Sequence, residues 1–318
     1  MTNRSASVKV AVVQAAPVMF NLEKTIEKVC ELIGESATNG AEFILFPEAF
    51  IPAYPRGLSF GMKVGGRTDE GRKLWQRYWN NSVEIPGPAI KKIGEYAKKH
   101  GVYVAIGVIE KDSDFSKGTL YCTLLYFGKD GEILGKHRKL KPTGSERLIW
   151  GEGDGSTLTV VDTELGKIGG LICWENYMPM ARMAIYGKGV EIYIAPTADQ
   201  RERWQATMRH IALEGRCFVL GCNQFVTKDM YPPDLELIEE LENMPDILCN
   251  GGSVIVSPQG EVIEGPLNDK EGILYADLDM GEVVRGKLDF DVTGHYARSD
   301  IFKLIVNEDP QLPVEKAF

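Results

Sequence analysis

The stretch LTVVDTELGKIGGLICWEN (158–176) predicts two strands around a glycine-containing turn, with the second strand ending at a cysteine. The apolar run stops abruptly at Cys173, because the residues that follow it, Trp174, Glu175 and Asn176, are unsuited to continuing a buried strand. A cysteine in such a run is more often a core thiol than a nucleophile. Functional sites, however, collect at the carboxyl ends of strands in open α/β sheets, so this position favours a functional role.

Strands and helices alternate along the rest of the chain. VKVAVVQAAP (8–17) predicts a buried strand, and Asn21 can cap a helix over 22–38. EFILFPEAF (42–50) predicts a second strand, which Pro47 should end. The further predicted elements are a helix at 85–101 stopped by Gly101, strands at 102–111, 119–128 and 132–140, helices near 179–188 and 201–215, strands at 191–196 and 217–225, and further β structure at 251–263 and 272–280.

This alternation is typical of the α/β class, and no repeat, linker or low-complexity segment divides the sequence. We therefore expect a single domain over 1–318, with helices covering both sides of the β layers. Two segments depart from the pattern. Residues 54–82 predict an inserted loop with a short helix, and the acidic, proline-containing segment 228–250 predicts an exposed insertion.

Composition restricts the classes of partner. The chain has 318 residues, of which 44% are hydrophobic and 25% charged, as in a soluble globular protein that buries a sizeable core. Its formal net charge of −9 argues against a general binder of nucleic-acid phosphates. The one notable basic run, GKHRKLK (135–141), is interpreted as a solvated loop.

The cysteines and histidines indicate neither a disulfide framework nor a metal site. The six cysteines are scattered without a CxxC pair, and the four histidines show no metal-ligand spacing. The start MTNRSASVKVAVVQ lacks the apolar core of a signal peptide, and no apolar run is long enough to span a membrane. We expect a cytoplasmic enzyme with reduced cysteines, no metal, no cofactor and no membrane contact.

Three predicted strand ends carry reactive side chains. Glu48 follows the apolar run FILF, Lys139 ends the hairpin strand in GKHRKL, and Cys173 ends the stretch first described. A thiol, a carboxylate and an ammonium group together are compatible with nucleophilic catalysis. A protease-like pairing of the cysteine with His210 or His295 is the alternative that the residue types leave open, although HIALEG (210–215) predicts a helix on which a histidine packs or caps.

Three ordered motifs resemble the nitrilase (carbon–nitrogen hydrolase) superfamily. FPEAFIPAYPRG (46–57) is similar to its glutamate segment, GKHRKLKPTGSERLIWGEGDGS (135–156) to its lysine segment and GGLICWENYMP (169–179) to its cysteine segment. Similarity extends from about residue 8 to about 307. The further similar blocks are APTAD (195–199), HIALEGRCFVL (210–220), GGSVIVSP (251–258) and GHYARSD (294–300).

The resemblance implies a fold and an assembly. The fold would be a four-layer α-β-β-α sandwich. The protein would form a homo-oligomer that is built from dimers and can extend into spirals or filaments. The segments 54–75 and 228–250 are where we expect such contacts.

The resemblance also implies roles for individual residues. Cys173 would be the nucleophile, Glu48 the general base and Lys139 the cation that stabilises anionic intermediates. Glu146 is the second glutamate of the family motif and would orient Lys139 or the attacking water. The candidates for the substrate pocket are Trp174, Tyr54 and Trp150.

The activity implied is hydrolysis of a small organic nitrile to a carboxylic acid and ammonia through a cysteine thioimidate and thioester. CWEN (173–176), with the APTAD and HIALEG blocks, is similar to nitrilases of the plant-type arylacetonitrile and β-cyanoalanine branch and their bacterial relatives. Gly144 stands where relatives often carry a bulkier residue, which bears on pocket size. The alternatives are an amidase with the same triad and a non-catalytic, filament-forming scaffold.

Overall fold

The computed structural model describes residues 5–314, so the first and last four residues of the predicted domain 1–318 lie outside the described part. Strands and helices alternate as the sequence predicts. The strands are β1 (Ser7–Gln14), β2 (Phe43–Leu45), β3 (Tyr103–Lys111), β4 (Leu120–Phe127), β5 (Ile133–Arg138), β6 (Val160–Thr163), β7 (Gly166–Gly170), β8 (Ile192–Pro196), β9 (Phe218–Cys222), β10 (Phe225–Thr227), β11 (Ile247–Val256), β12 (Val262–Asn268) and β13 (Gly272–Asp279). The helices are α1 (Leu22–Thr38), α2 (Asp69–Asn81), α3 (Pro88–His100), α4 (Pro179–Gly187), α5 (Arg203–Gly215) and α6 (Gly281–Lys287).

The strands form two sheets. The first has the order β13-β1-β2-β3-β4-β5, and its central strands β1, β2 and β3 are parallel. The second has the order β10-β11-β9-β8-β7-β6, with β12 added on β11, and its strands β7, β8 and β9 are parallel. Parallel strands end at the same edge of a sheet, so in each sheet the segments that follow them gather at one edge.

Residues of β1 show how the first sheet is covered on both faces. Val8, Val10 and Val12 belong to the core between the two sheets, whereas Ala11 and Val13 pack with the helices α1 and α3. Because both faces of this strand are buried, its sequence is continuously apolar instead of alternating.

The helices supply the two outer layers. In α1, Ile26, Val29 and Ile33 pack on the first sheet, and the helix begins at the predicted cap, where Asn21 Oδ1 accepts the Lys24 N–H at 3.0 Å. Helices α4 and α5 cover the outer face of the second sheet. The predicted four-layer α-β-β-α sandwich is confirmed. Every helix within residues 5–314 is too short or too polar to cross a membrane.

The prediction of one strand over 217–225 is wrong. The strand β9 ends at Cys222, and β10 begins at Phe225 on the far side of β11. Between them, Asn223 Nδ2 donates to the Gly251 carbonyl at 2.7 Å, and Gln224 Nε2 donates to the Glu48 carbonyl at 2.8 Å. These side chains serve as links to distant loops, which a local apolar pattern does not reveal.

Two further expectations are corrected. The segment 228–250 is not an exposed insertion throughout, since its apolar side chains Tyr231, Leu235 and Leu241 are buried in the core between the sheets. The basic run 135–141 is not a solvated loop, because its first four residues lie in β5 and the side chains of His137 and Lys139 are fully buried. The helix α6 was not predicted.

Candidate active site

The three predicted strand ends meet in the interior of the protein. Glu48 lies three residues after β2, Lys139 directly follows β5, and Cys173 lies three residues after β7. The Lys139 N–H donates to the Cys122 carbonyl at 2.8 Å, so the β4–β5 pairing continues as far as this lysine. The side chains of Glu48 and Lys139 are fully buried, and Cys173 is 4% exposed.

Lys139 lies between two carboxylates. Its Nζ donates to Glu48 Oε1 at 2.6 Å and to Glu146 Oε2 at 2.7 Å. An ammonium group is stable in a protein interior only when its charge is compensated and its hydrogens are bonded. Burial alone would lower the pKa of Lys139, but Glu48, Cys173 and Glu146 outweigh that effect and hold the pKa well above its ordinary value. The lysine is therefore a permanent positive charge.

Glu48 is held by its backbone and by one of its two carboxylate oxygens. Its carbonyl accepts the Gln224 side-chain amide, and Cys122 Sγ lies 3.7 Å from Oε1. Among residues 5–314, the buried Oε2 has no hydrogen-bond partner. Burial raises the pKa of Glu48 to about 6, although the Lys139 ammonium draws it in the opposite direction. This carboxylate can take up a proton near neutral pH.

Cys173 is the first residue of a 3-10 helix, Cys173–Tyr177, which follows strand β7 of the second sheet. Its φ of 52° lies in the left-handed region, which is uncommon for non-glycine residues. The Thr197 hydroxyl oxygen lies 3.1 Å from its Sγ. Burial and the charge of Glu48 raise the pKa of Cys173, while Lys139 and Thr197 draw it down. The resting side chain is a thiol and needs a base.

Glu146 is fixed from three sides. One oxygen, Oε1, accepts the Tyr54 hydroxyl at 2.7 Å, and the other, Oε2, accepts the Thr143 N–H at 2.6 Å in addition to Lys139. Thr143 caps the short 3-10 helix Gly144–Leu148 that carries this glutamate. The carboxylate is thereby held on Lys139, as the prediction for its role requires.

The predicted pocket residues occupy different positions. A cavity of about 260 Å³ opens beside Cys173, and Tyr54 and Trp174 line it. Trp150 is absent from that lining among the described residues; it is buried behind Tyr54, edge-on to its ring at 5.7 Å, and lines two neighbouring cavities. Gly144 has a φ of 57°, in the left-handed region, and the space that a side chain would enter there is open. Its effect on pocket size stays a prediction.

Several residues of the site have no role in the sequence-based predictions. Besides the predicted residues Tyr54, Glu146, Cys173 and Trp174, the cavity is lined by Arg56, Thr143, Ala198, Asp199, Gln200 and Arg201. Asp199 accepts the Trp174 indole N–H at 2.9 Å and pairs with Arg201, whose guanidinium stacks over the Trp174 ring at 4.8 Å. The APTAD block was the only signal in the sequence that pointed to this part of the cavity.

Glu175 joins the lysine segment to the cysteine segment. This buried carboxylate accepts the Leu140 N–H at 2.6 Å and the Ile172 N–H at 2.8 Å. Leu140 follows Lys139, and Ile172 precedes Cys173, so one side chain fixes the spacing of the two segments.

The structure does not bring the histidines of the alternative dyad to the cysteine. The His210 side chain is 64% exposed on α5 and pairs with Glu214 at 3.7 Å, and His295 packs edge-on against Tyr296. Neither histidine lines the cavity beside Cys173. Within residues 5–314, no group of three His, Cys, Asp or Glu side chains is placed to hold a metal ion.

Comparison with known proteins identifies the family. The carbon-nitrogen hydrolase family model matches residues 9–287. A bifunctional nitrilase/nitrile hydratase of Lupinus angustifolius is 51% identical over 97% of this chain and 88% of its own length. An aliphatic nitrilase of Sinorhizobium fredii (strain HH103) is 52% identical over 96% and 97%, and Nitrilase 2 of Arabidopsis thaliana is 49% identical over 98% and 91%.

Solved structures agree in fold. The carbon-nitrogen hydrolase from Helicobacter pylori G27 has a TM-score of 0.72 at 22% identity, covering 93% of this chain and 97% of that one. The C. elegans NitFhit protein has a TM-score of 0.73 at 20% identity, covering 98% and 69%. With half of all residues shared with nitrilases over nearly its full length, the chain belongs to the carbon-nitrogen hydrolase family, in its nitrilase branch.

Proposed function

We propose that this nitrilase hydrolyses an organic nitrile to the carboxylic acid and ammonia with Cys173 as nucleophile, Glu48 as general base and Lys139 as the stabilising cation. The observation that carries the proposal is the position of Lys139 Nζ, which lies 2.6 Å from Glu48 and 2.7 Å from Glu146. Glu146 keeps the ammonium group in place while Glu48 exchanges protons.

Activation begins with the thiol of Cys173. Its proton passes to Glu48, whose raised pKa of about 6 allows it to act both as base and, once protonated, as acid near neutral pH. The thiolate then attacks the nitrile carbon. Glu48 returns the proton to the nitrile nitrogen, which gives a neutral thioimidate.

Two additions of water complete the reaction. Glu48 removes a proton from the first water as it adds to the thioimidate carbon, and Lys139 stabilises the tetrahedral intermediate. The carbon–nitrogen bond then breaks, protonated nitrogen leaves as ammonia and a thioester remains. A second water adds, the carbon–sulfur bond breaks, and the acid is released as Cys173 regains its proton.

An amide is the second product that we propose. If the carbon–sulfur bond of the first tetrahedral intermediate breaks before the carbon–nitrogen bond, the amide leaves and the thiol is regenerated without a thioester. The Lupinus angustifolius relative is a bifunctional nitrilase/nitrile hydratase, which supports both outcomes. Which bond breaks depends on whether protonated Glu48 gives its proton first to the nitrogen or to the sulfur.

A matched panel of nitriles and their amides tests the proposal. We expect ammonia and acid from the nitriles, and none of either from the Cys173→Ala variant with its fold retained by circular dichroism. Hydrolysis of the amides at a higher kcat/KM than that of the nitriles would favour the amidase alternative. The similarity to nitrilases argues against that alternative. A wild-type protein that releases no product from either set would favour the scaffold.

We also propose a homo-oligomer built from dimers and extendable to a filament. Exposed charges support contacts through the two segments expected from the sequence. Those of 54–75 have a basic excess, with Lys63, Arg67, Arg72 and Lys73 against Asp69 and Glu70, whereas those of 228–250 are acidic and include Glu239, Glu242 and Asp246. Light scattering at low and high salt tests it, since contacts of this kind weaken with salt. A monomer at all concentrations would contradict it.

A cytoplasmic location is a further proposal. All six cysteines are free thiols and buried, which is consistent with a reducing compartment. Fractionation of cells that express the protein tests this location.

A further inference from the structure

Thr197 is the residue whose hydroxyl touches the sulfur of Cys173. It directly follows β8, is 1% exposed, and places Oγ1 3.1 Å from Sγ. We propose that Thr197 is a further catalytic residue, whose hydroxyl donates a hydrogen bond to Cys173 Sγ and stabilises the thiolate that Glu48 generates. This inference rests on the proposed role of Cys173 as nucleophile.

The neighbours of Thr197 determine the direction of the hydrogen bond. The Asp199 N–H donates to Thr197 Oγ1 at 2.9 Å, so this oxygen is already an acceptor. A hydroxyl has a single hydrogen to donate, and among the described residues the sulfur of Cys173 is the remaining partner of this hydroxyl. The hydrogen therefore points to the sulfur.

A sulfur that accepts from Thr197 turns its own hydrogen elsewhere. Glu48 Oε2, which makes no hydrogen bond within residues 5–314, is the acceptor that this arrangement leaves for it. A contact with the Cys173 thiol is among the influences that lower the pKa of Glu48 against the larger effect of burial. In this proposal, the bond from Thr197 leaves the thiol hydrogen available for its base.

The position of the hydroxyl is set by a backbone hydrogen bond of Thr197 and by hydrogen bonds that hold Asp199 in place. The Thr197 N–H donates to the Cys222 carbonyl at 2.8 Å, and Asp199 receives the Trp174 indole N–H at 2.9 Å and, on its carbonyl, the Asn223 side chain at 3.1 Å. A donor fixed in this way needs no reorientation when charge develops on the sulfur.

The chemical consequence concerns the proton transfer. The S–H bond of Cys173 breaks, an O–H bond forms on Glu48, and the electron pair stays on the sulfur. Hydrogen bonds to an ionised partner are roughly twice as strong as those between neutral groups. The Thr197 hydroxyl therefore favours the thiolate over the thiol and does not merely bind both equally.

The test compares Thr197→Val, which has nearly the same shape without a hydroxyl, with Thr197→Ser, which keeps it. The readout is the pH dependence of alkylation of Cys173 by iodoacetamide, located by mass spectrometry, together with the rate of a single turnover. We expect the midpoint of alkylation in Thr197→Val to move up by about one pH unit and turnover to slow about 10- to 100-fold. Thr197→Ser should stay within about threefold of the wild type.

Thr163→Val is the matched control. Its buried hydroxyl donates to the Gly166 carbonyl at 2.7 Å, at the other end of β7 from the cysteine. It should lower thermal stability without moving the alkylation midpoint.

Two results would overturn the inference: a folded Thr197→Val with the wild-type midpoint and turnover, or a Thr197→Ser as slow as Thr197→Val, which would assign the effect to packing. Undiminished turnover in Cys173→Ala would overturn the proposed function itself, whatever position 197 does.

Discussion

His137 Nε2 lies 3.0 Å from Glu175 Oε2, and both side chains are fully buried. The other ring nitrogen, Nδ1, faces the Thr157 carbonyl at 3.0 Å, which can only accept. Glu175 also accepts backbone N–H groups from Leu140 and Ile172 on its two oxygens, a set of donors that favours the ionised carboxylate, so we assign a donating N–H to both ring nitrogens. The pair is a buried imidazolium and carboxylate behind the catalytic segments.

The stability of the fold should therefore depend on the charge of His137. Burial alone would lower the pKa of His137, but Glu175 raises it above its usual 6.5. A raised folded-state pKa contributes stability below the unfolded-state value, and this contribution is lost as the pH rises through the folded-state value. In urea titrations, we expect the difference in unfolding free energy between the wild type and His137→Leu to be about 3–5 kcal/mol at pH 6 and to shrink toward pH 9.

The control is His210→Leu, on the exposed face of α5. It should change the unfolding free energy by less than about 1 kcal/mol at either pH. A difference that grows with pH would contradict the assignment.

Removing the cation of Lys139 should abolish most activity. Lys139→Met keeps nearly the length of the side chain but removes the positive charge between the carboxylates of Glu48 and Glu146. We expect kcat/KM for a nitrile to fall by at least about 100- to 1000-fold, the usual effect of losing a preorganised electrostatic group. His210→Ala should retain wild-type activity. An active Lys139→Met and an inactive His210→Ala would support the cysteine–histidine alternative.

The acidic side of the pH–rate profile should report Glu48. Only the ionised carboxylate can take the thiol proton, and its pKa is raised to about 6. We expect kcat/KM to fall about tenfold for each pH unit below 6, with Glu48→Gln slower by about 100- to 10,000-fold at pH 7 and without this acidic limb. A profile that is flat from pH 5 to 7 would assign the base to another group.

The Tyr54 hydroxyl should act through Glu146. Tyr54→Phe leaves Glu146 Oε1 without its 2.7 Å donor, so the carboxylate can turn away from Lys139. We expect kcat to fall about tenfold with little change in KM, from the loss of one bond to a charged group. Tyr78→Phe is the control, because that hydroxyl donates to the Ala53 carbonyl at 2.9 Å and should affect stability alone. Equal losses of kcat in both variants would indicate a packing effect.

The parts of the site that the sequence predicted are those that lie at the ends of apolar runs. Glu48, Lys139 and Cys173 each follow a strand, and the polarity change at those positions is visible in the local pattern. The alternation of strands and helices likewise follows from the spacing of apolar residues within each segment and from the turn residues between segments. These features depend on neighbours in sequence.

The parts that escaped prediction depend on partners far apart in sequence. Gln224 and Glu48, which meet through a hydrogen bond, are 176 residues apart, and Glu175 bonds Leu140 across 35 residues. The acidic composition of 228–250 likewise hides buried apolar side chains such as Leu235 and Leu241, since charges on one side of a segment do not reveal packing on the other. The contact of Thr197 with the sulfur exists only once β7 and β8 pair.

The left-handed backbone of Cys173 has a consequence for engineering. A non-glycine residue there costs about 1–3 kcal/mol, and glycine adopts this conformation without that cost, so heat resistance alone does not select for the cysteine. Directed evolution that ranks variants only by survival after heating would accumulate inert proteins at this position. Libraries built on this chain should keep codon 173 fixed, or couple every thermal screen to release of product.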